Sequence, residues 1–206
     1  MPALYYVLSI VEIGLCATAL TSGLVVASLA GRQTEAFAGD CVLGGNVIWT
    51  SHTVFELNAN DPPRCIFIVG VQGLAACIAF INAMYRIFVL CCARLDLKII
   101  RIILVPVYSI MSVLILAEAA ILSHGLNNVC EGFRSLQVRT ANYDCELFQQ
   151  VDWHIYDGSG FYEDYSKAER AGWVSFLTWC ALVGVGVLHC LAERPDSGIA
   201  LPNNTK

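Results

Sequence analysis

Four apolar stretches, near residues 3–30, 66–92, 99–124 and 171–192, decide which solvent this chain folds in. Each reaches the roughly 20 residues that an α-helix needs to cross a hydrocarbon core about 30 Å thick. Backbone in lipid must satisfy its own hydrogen bonds, so each stretch is expected as a helix. The expected fold is an all-α membrane protein: a four-helix transmembrane bundle with a small disulfide-stapled extracellular cap containing short β-strands. Residues 1–206 form a single four-span domain, with outer loops 31–65 and 125–170, a turn at 93–98 and a tail at 193–206. Only 14% of residues are charged, against about 25% in soluble domains. The first stretch is too long for the apolar part of a signal peptide and lacks a positive leader, so it is expected to stay as a span.

Lysine and arginine bias orients the bundle. The turn at 93–98 is flanked by Arg86 and Arg101 and holds Arg94, Lys98 and one acid, Asp96, which puts it and both termini in the cytoplasm. Both longer loops carry more acids than bases, including Asp40, Glu56, Asp61, Asp144, Asp152, Asp157, Glu163 and Asp164. They are expected outside or in the lumen. The net charge of −5 argues against nucleic acid, whose phosphates need a basic face.

Topology sorts the ten cysteines. Cys41 and Cys65 fall in the first outer loop and Cys130 and Cys145 in the second, an even pair in each oxidising loop. Four cysteines admit three pairings; pairing within each loop is simplest, since short closures cost least entropy. Cys16, Cys77 and Cys180 lie inside spans and read as packing residues. Cys91, Cys92 and Cys190 lie at the cytoplasmic border, as candidates for palmitoylation or as reduced residues without a role.

Polar residues inside the spans are the candidate functional groups. Ser9, Glu12, Cys16, Ala19, Gly23 and Ala27 form one stripe of span one, small enough for close helix approach. Gln72, Ala75, Ala79, Asn82 and Arg86 share a face of span two by their steps of three and four. Depth matches Glu12 with Arg86 as an ion pair; the alternative has Arg86 reaching the headgroups and Glu12 bonded to Asn82. Glu118 matches Gln72 in depth, with His124 as a titratable neighbour if the site binds a cation or proton. Pro106 interrupts the span-three backbone ladder at Ile102.

Outside the spans, Val47 to Phe55 alternates like a strand, Asn60 or Asp61 can cap span two, and Leu136 to Arg139 is a second candidate strand. A turn at Asp157 to Gly160 precedes a helical approach to Trp173. Trp153, Tyr156, Phe161, Tyr162 and Tyr165 either sit at headgroup level or pack the loops together. The chain has no G-x-S-x-G, H-E-x-x-H, P-loop or C-x-x-C motif. His52, His124, His154 and His189 are scattered, so no metal site is expected. Asp152, Asp157, Glu163 and Asp164 depart from a calcium loop and read as solvated acidic surface. Asn203 begins the one glycosylation sequon, in the expected cytoplasmic tail. No enzyme activity or cofactor is expected.

Cys41 with Trp49, Pro62-Pro63-x-Cys65 and Arg86, then Cys145-Glu146 through Asp152, Ser159-x-Phe161-Tyr162, Ala168, Trp173, Ser175 and Trp179, resemble the transmembrane protein 179 family over nearly the whole chain. The resemblance implies a multi-pass, often neural, membrane protein and carries no active-site residues. The tail here is shorter than in vertebrate members, so no tail-borne trafficking signal is carried over. As architecture, physins and claudins are comparable, although Cys41 precedes Trp49 where claudins place Trp before both cysteines. The tetraspanin C-C-G motif is absent.

Three functions fit. The first is a non-enzymatic tetraspan accessory subunit that binds a larger integral membrane protein, a channel or receptor, and modulates or traffics it, with lipids as further partners. The second is a self-associating organiser of vesicles or contacts. The third is a small transporter or channel using Glu12, Arg86 and Glu118, for which reconstituted flux abolished by Glu118→Gln is the signature. The membrane is the plasma membrane or one of the secretory or vesicle system.

Overall fold

A computed structural model describes residues 2–49, 55–58, 62–92, 98–134, 145–150, 153 and 156–191. Four long helices dominate: α1 (Pro2–Ala36), α2 (Pro62–Cys91), α3 (Lys98–Arg134) and α4 (Phe161–Leu191). Each is long and apolar enough to cross a membrane. The solvent reading is inverted relative to a soluble protein. Ile10, Ile66, Ile81, Ile99, Val113 and Leu177 stand at least 60% exposed, while Glu12, Gln72, Arg86, Glu118 and His189 are at most 1% exposed. Such an apolar outer surface is stable only against lipid.

α1 packs against both α2 and α4, α3 packs against α4, and α2 meets α3 only lightly. Pro62 and Pro63 occupy the first turn of α2, where the missing N–H groups have no helical partner to lose. Pro106 lies inside α3, which continues across it to Arg134. The inner stripe of α1 runs Ser9, Glu12, Cys16, Ala19, Gly23, Val26 and Ala30; Ala27, expected in it, is half-buried beside it.

The helices outrun the apolar stretches. Residues 31–36 and 125–134, expected as loop, are the ends of α1 and α3, and the helical approach expected before Trp173, placed within the outer loop by its span boundary, is the first part of α4. Hydropathy marks where a helix touches lipid. The helix itself continues because its inward face stays apolar beyond that depth, through Leu126, Val129 and Phe133 on α3 and Phe161, Tyr165 and Ala168 on α4.

These projecting ends carry the cap. The single strand expected from Val47 to Phe55 is instead a pair, β1 (Asn46–Trp49) and β2 (Phe55–Asn58), antiparallel with Trp49 opposite Phe55. The alternating pattern does not reveal a reversal, since both arms have the same period. Asn60, Asp61 and Leu136 to Arg139 lie outside the described residues, as do His52, His154, Asp152 and Asn203. The cap is aromatic. Trp153 meets Phe37, Phe55, Phe133 and Phe161 with ring centroids 5.3–5.4 Å apart, and Phe133 stacks on Phe148 at 4.4 Å. Of the two roles open to the aromatic group, Trp153, Tyr156, Phe161 and Tyr165 take the packing one. A Cβ on Gly158 would lie 2.2 Å from the Trp153 indole, and one on Gly125 would lie 2.7 Å from Leu43 Cβ. Gly158 lets the chain close over the Trp153 ring, and Gly125 lets α3 close on Leu43.

Candidate functional site

Two polar clusters are sealed inside the bundle. The larger is built on Glu12. Its Oε2 lies 2.9 Å from Arg86 Nε of α2 and 3.1 Å from His189 Nδ1 of α4. Its Oε1 accepts from Tyr108 of α3 at 2.7 Å and from Asn82 Nδ2 of α2 at 3.2 Å. The same Asn82 amide lies 3.1 Å from Cys16 Sγ, and Ser9 Oγ lies 3.4 Å from His189 Nε2. Arg101 Nη1 donates to the His189 carbonyl at 3.1 Å, tying α3 to α4.

All four helices therefore converge on one carboxylate. Arg86 is 1% exposed, so it does not reach for the headgroups; the ion pair and the Asn82 bond, posed as alternatives, coexist. A carboxylate and a guanidinium desolvated together attract strongly, and extra hydrogen bonds offset their lost hydration. Arg86 Nη1 and Asn82 Oδ1 remain buried without a hydrogen-bond partner among the described residues.

The smaller cluster lies nearer the cap. Gln72 Nε2 of α2 donates to Glu118 Oε2 of α3 at 2.6 Å, and Ser175 of α4 donates to Gln72 Oε1 at 3.3 Å. α1 closes over it at Gly23, where a Cβ would stand 3.2 Å from the Gln72 carbonyl. Glu118 Oε1 has no hydrogen-bond partner among the described residues. His124 is not its neighbour: it faces out, 3.1 Å from Asn128.

Cap geometry adds two disulfides, Cys41–Cys65 and Cys130–Cys145, with Cα atoms 5.6 and 5.3 Å apart. Asp164 departs from the solvated surface expected for it. It is 4% exposed, accepts from Gln33 Nε2 at 2.7 Å and Arg32 Nε at 3.0 Å, and joins the start of α4 to the end of α1. Glu163 pairs along the helix with Lys167. Asp157 accepts from the Ser159 amide at 3.0 Å, and this local bonding holds its carboxyl below the usual range. Tyr156 donates to Asp40 at 3.0 Å; partial burial, reinforced by that carboxylate, pushes its hydroxyl above its ordinary value. Cys77 and Cys180, expected as interior packing, face outward, Cys180 within 3.1 Å of Ser112 Oγ. Cys91 and Cys92 are exposed and Cys190 is half-buried at the opposite end from the cap. Among the described residues no three His, Cys, Asp or Glu side chains converge as a metal site.

Sequence reasoning missed Tyr108, His189 and Asp164. A signal existed: Ser175, Trp179, Leu182, Gly186 and His189 step by three and four along α4, and all are buried. His189 read as an isolated histidine because its partner is 177 positions away.

The class that these features define is a four-span membrane protein with a disulfide-braced cap over a polar-cored bundle. A family model described as "Transmembrane protein 179/179B Claudin domain" matches residues 8–203, and the chain belongs to that family. It is 26% identical to human Transmembrane protein 179B over 186 residues, 89% of this chain and 83% of the relative. The mouse protein of that name is 25% identical, with 87% and 82% covered, and that of Danio rerio is 25% identical, with 84% and 80% covered. No solved structure matches the chain. The family is one of claudin-like membrane proteins and is not a known enzyme family. The claudin likeness in its description holds despite the Cys41-before-Trp49 order of the first loop.

Proposed function

We propose that this protein is a non-enzymatic accessory subunit that docks laterally on a larger integral membrane protein, a channel or receptor, with cap outside and termini in the cytoplasm. The observation that carries this reading is the outward face of α1. Gly14, Ala17, Thr18, Thr21, Val25 and Ser28 recur at steps of three and four and all are exposed. Their hydroxyls are bonded within the helix, Thr18 to Gly14, Thr21 to Ala17 and Ser28 to Val25 at 3.0–3.1 Å. Small residues with satisfied hydroxyls let a foreign helix approach closely in lipid, where packing, not the hydrophobic effect, drives association. Each carboxylate of the inner clusters is bound by side chains of neighbouring helices, Glu12 by Arg86, Asn82 and Tyr108 and Glu118 by Gln72, which supports a scaffold over a transport pathway. An accessory subunit then acts by binding one state of its partner more tightly than another.

Purification from native membranes in mild detergent, followed by mass spectrometry, is expected to find one larger membrane protein in fixed stoichiometry. That protein is expected to be lost from Thr18→Leu/Thr21→Leu protein. Recovery of this chain alone, or only as homo-oligomers after cross-linking in intact membranes, overturns the reading, and the second outcome favours a self-associating organiser.

A further inference from the structure

A cleft of about 600 Å³ lies between the cap-side ends of α1 and α2. Gly31, Thr34 and Glu35 form one wall and Ile66, Val69 and Gly70 the other. We propose that this cleft binds one zwitterionic phospholipid, with acyl chain between the two walls and the headgroup ammonium against the Glu35 carboxylate.

The volume is within the roughly 300–1,000 Å³ of small-molecule sites. A Cβ on Gly31 or Gly70 would meet no atom of the described residues within 4 Å, so no contact among them requires either glycine. Glycine weakens a helix interior, yet one stands on each wall, and a larger side chain at either position would fill the space.

Depth selects a lipid. Along the cleft the apolar part of α1 gives way to Thr34 and Glu35, and Ile66 on the facing helix stands 66% exposed. The opening therefore spans the boundary between acyl chains and headgroups. A partner helix would need a seam along the span, whereas this cleft is confined to the cap-side ends, where Gly39 and Cys65 line it.

Charge selects the headgroup. The Thr34 hydroxyl is turned back to the Ala30 carbonyl at 2.8 Å, and Arg32 is engaged by Asp164. Among the described residues that line the cleft, Glu35 is the one charged side chain. A carboxylate there complements a choline or ethanolamine cation and repels an anionic headgroup.

The test equilibrates full-length protein with vesicles of equimolar phosphatidylcholine, phosphatidylethanolamine and phosphatidylglycerol, then counts retained lipids by native mass spectrometry. Wild-type protein is expected to keep one zwitterionic lipid. Gly70→Leu and Gly31→Leu are expected to lower retention roughly tenfold, a change of about one decade in affinity. Gly184→Leu, at an open glycine of α4, is expected to leave retention unchanged. Glu35→Gln is expected to reduce the preference for zwitterionic over anionic lipid roughly threefold, the scale of an exposed ion pair. Melting curves confirm that each variant is folded. Failure of wild type to retain lipid, retention indifferent to both leucines, preference for phosphatidylglycerol, or loss of a dimer in Gly70→Leu would each overturn the proposal.

Discussion

Glu12 is contacted by side chains from the other three helices, and each contact uses a different chemistry: a guanidinium, an amide, a phenol and an imidazole. Deleting one partner of such a pair does more harm than deleting both, because the survivor stays buried with an uncompensated charge. Arg86→Met is therefore expected to cost about 3–5 kcal/mol, and Glu12→Gln combined with Arg86→Met is expected to recover much of that loss. Denaturant unfolding of the two single variants and the double variant in detergent measures the coupling. Additive effects would show that the two side chains do not stabilise one another. Depth and helical period made Glu12, Asn82 and Arg86 legible as a group. Tyr108 was not, because one tyrosine in a span is unremarkable until a carboxylate is placed 2.7 Å from its hydroxyl.

The end of α1 shows why helix boundaries were harder to read than helix existence. The Gly39 amide donates to the Thr34 carbonyl at 2.8 Å and the Ala38 amide to the Glu35 carbonyl at 3.0 Å, the paired bonds of a Schellman stop. In that motif the left-handed residue is usually glycine. Here it is Ala38, with φ of +55°, followed by Gly39 at +94°. An L-residue pays for that conformation, so Ala38→Gly is expected to stabilise the protein by about 0.5–1 kcal/mol, net of the greater freedom of glycine in the unfolded chain. A rise in melting temperature checks it, and a fall would mean that the Ala38 methyl has a packing role. Hydropathy places the stop near residue 30, where the uninterrupted apolar run ends. The hydrogen-bond pattern places it at Ala36.

At the scale of the molecule, two kinds of core are joined end to end. The cap core is aromatic and is held by the hydrophobic effect and two disulfides. The bundle is held within lipid by close small-residue contacts and polar clusters. The two halves should respond differently to reduction. Closing a 15-residue loop is worth about 3 kcal/mol, and Cys130–Cys145 spans that separation. Reduction is expected to remove hydrogen-exchange protection from β1 and β2 while the Gln72 to Arg86 stretch of α2 stays protected. Equal loss in both regions would show that cap and bundle unfold as one unit.

Hydropathy and composition, read from the residues alone, determined the solvent, the number of helices and the depth of each polar group, because crossing a bilayer demands long apolar helices whatever their neighbours. They also set the four loop cysteines apart from the rest, while the choice among three pairings, with the within-loop one simplest, was made by the structure. Helical period assigned faces to α1 and α2. Neighbour order was decided only by the assembled bundle: α1 lies between α2 and α4, which carries His189 to Glu12 across 177 positions and Asp164 to Arg32 across 132. A helix's pattern states how deep a side chain sits and toward which side it turns. Which other helix waits there is settled when all four pack at once.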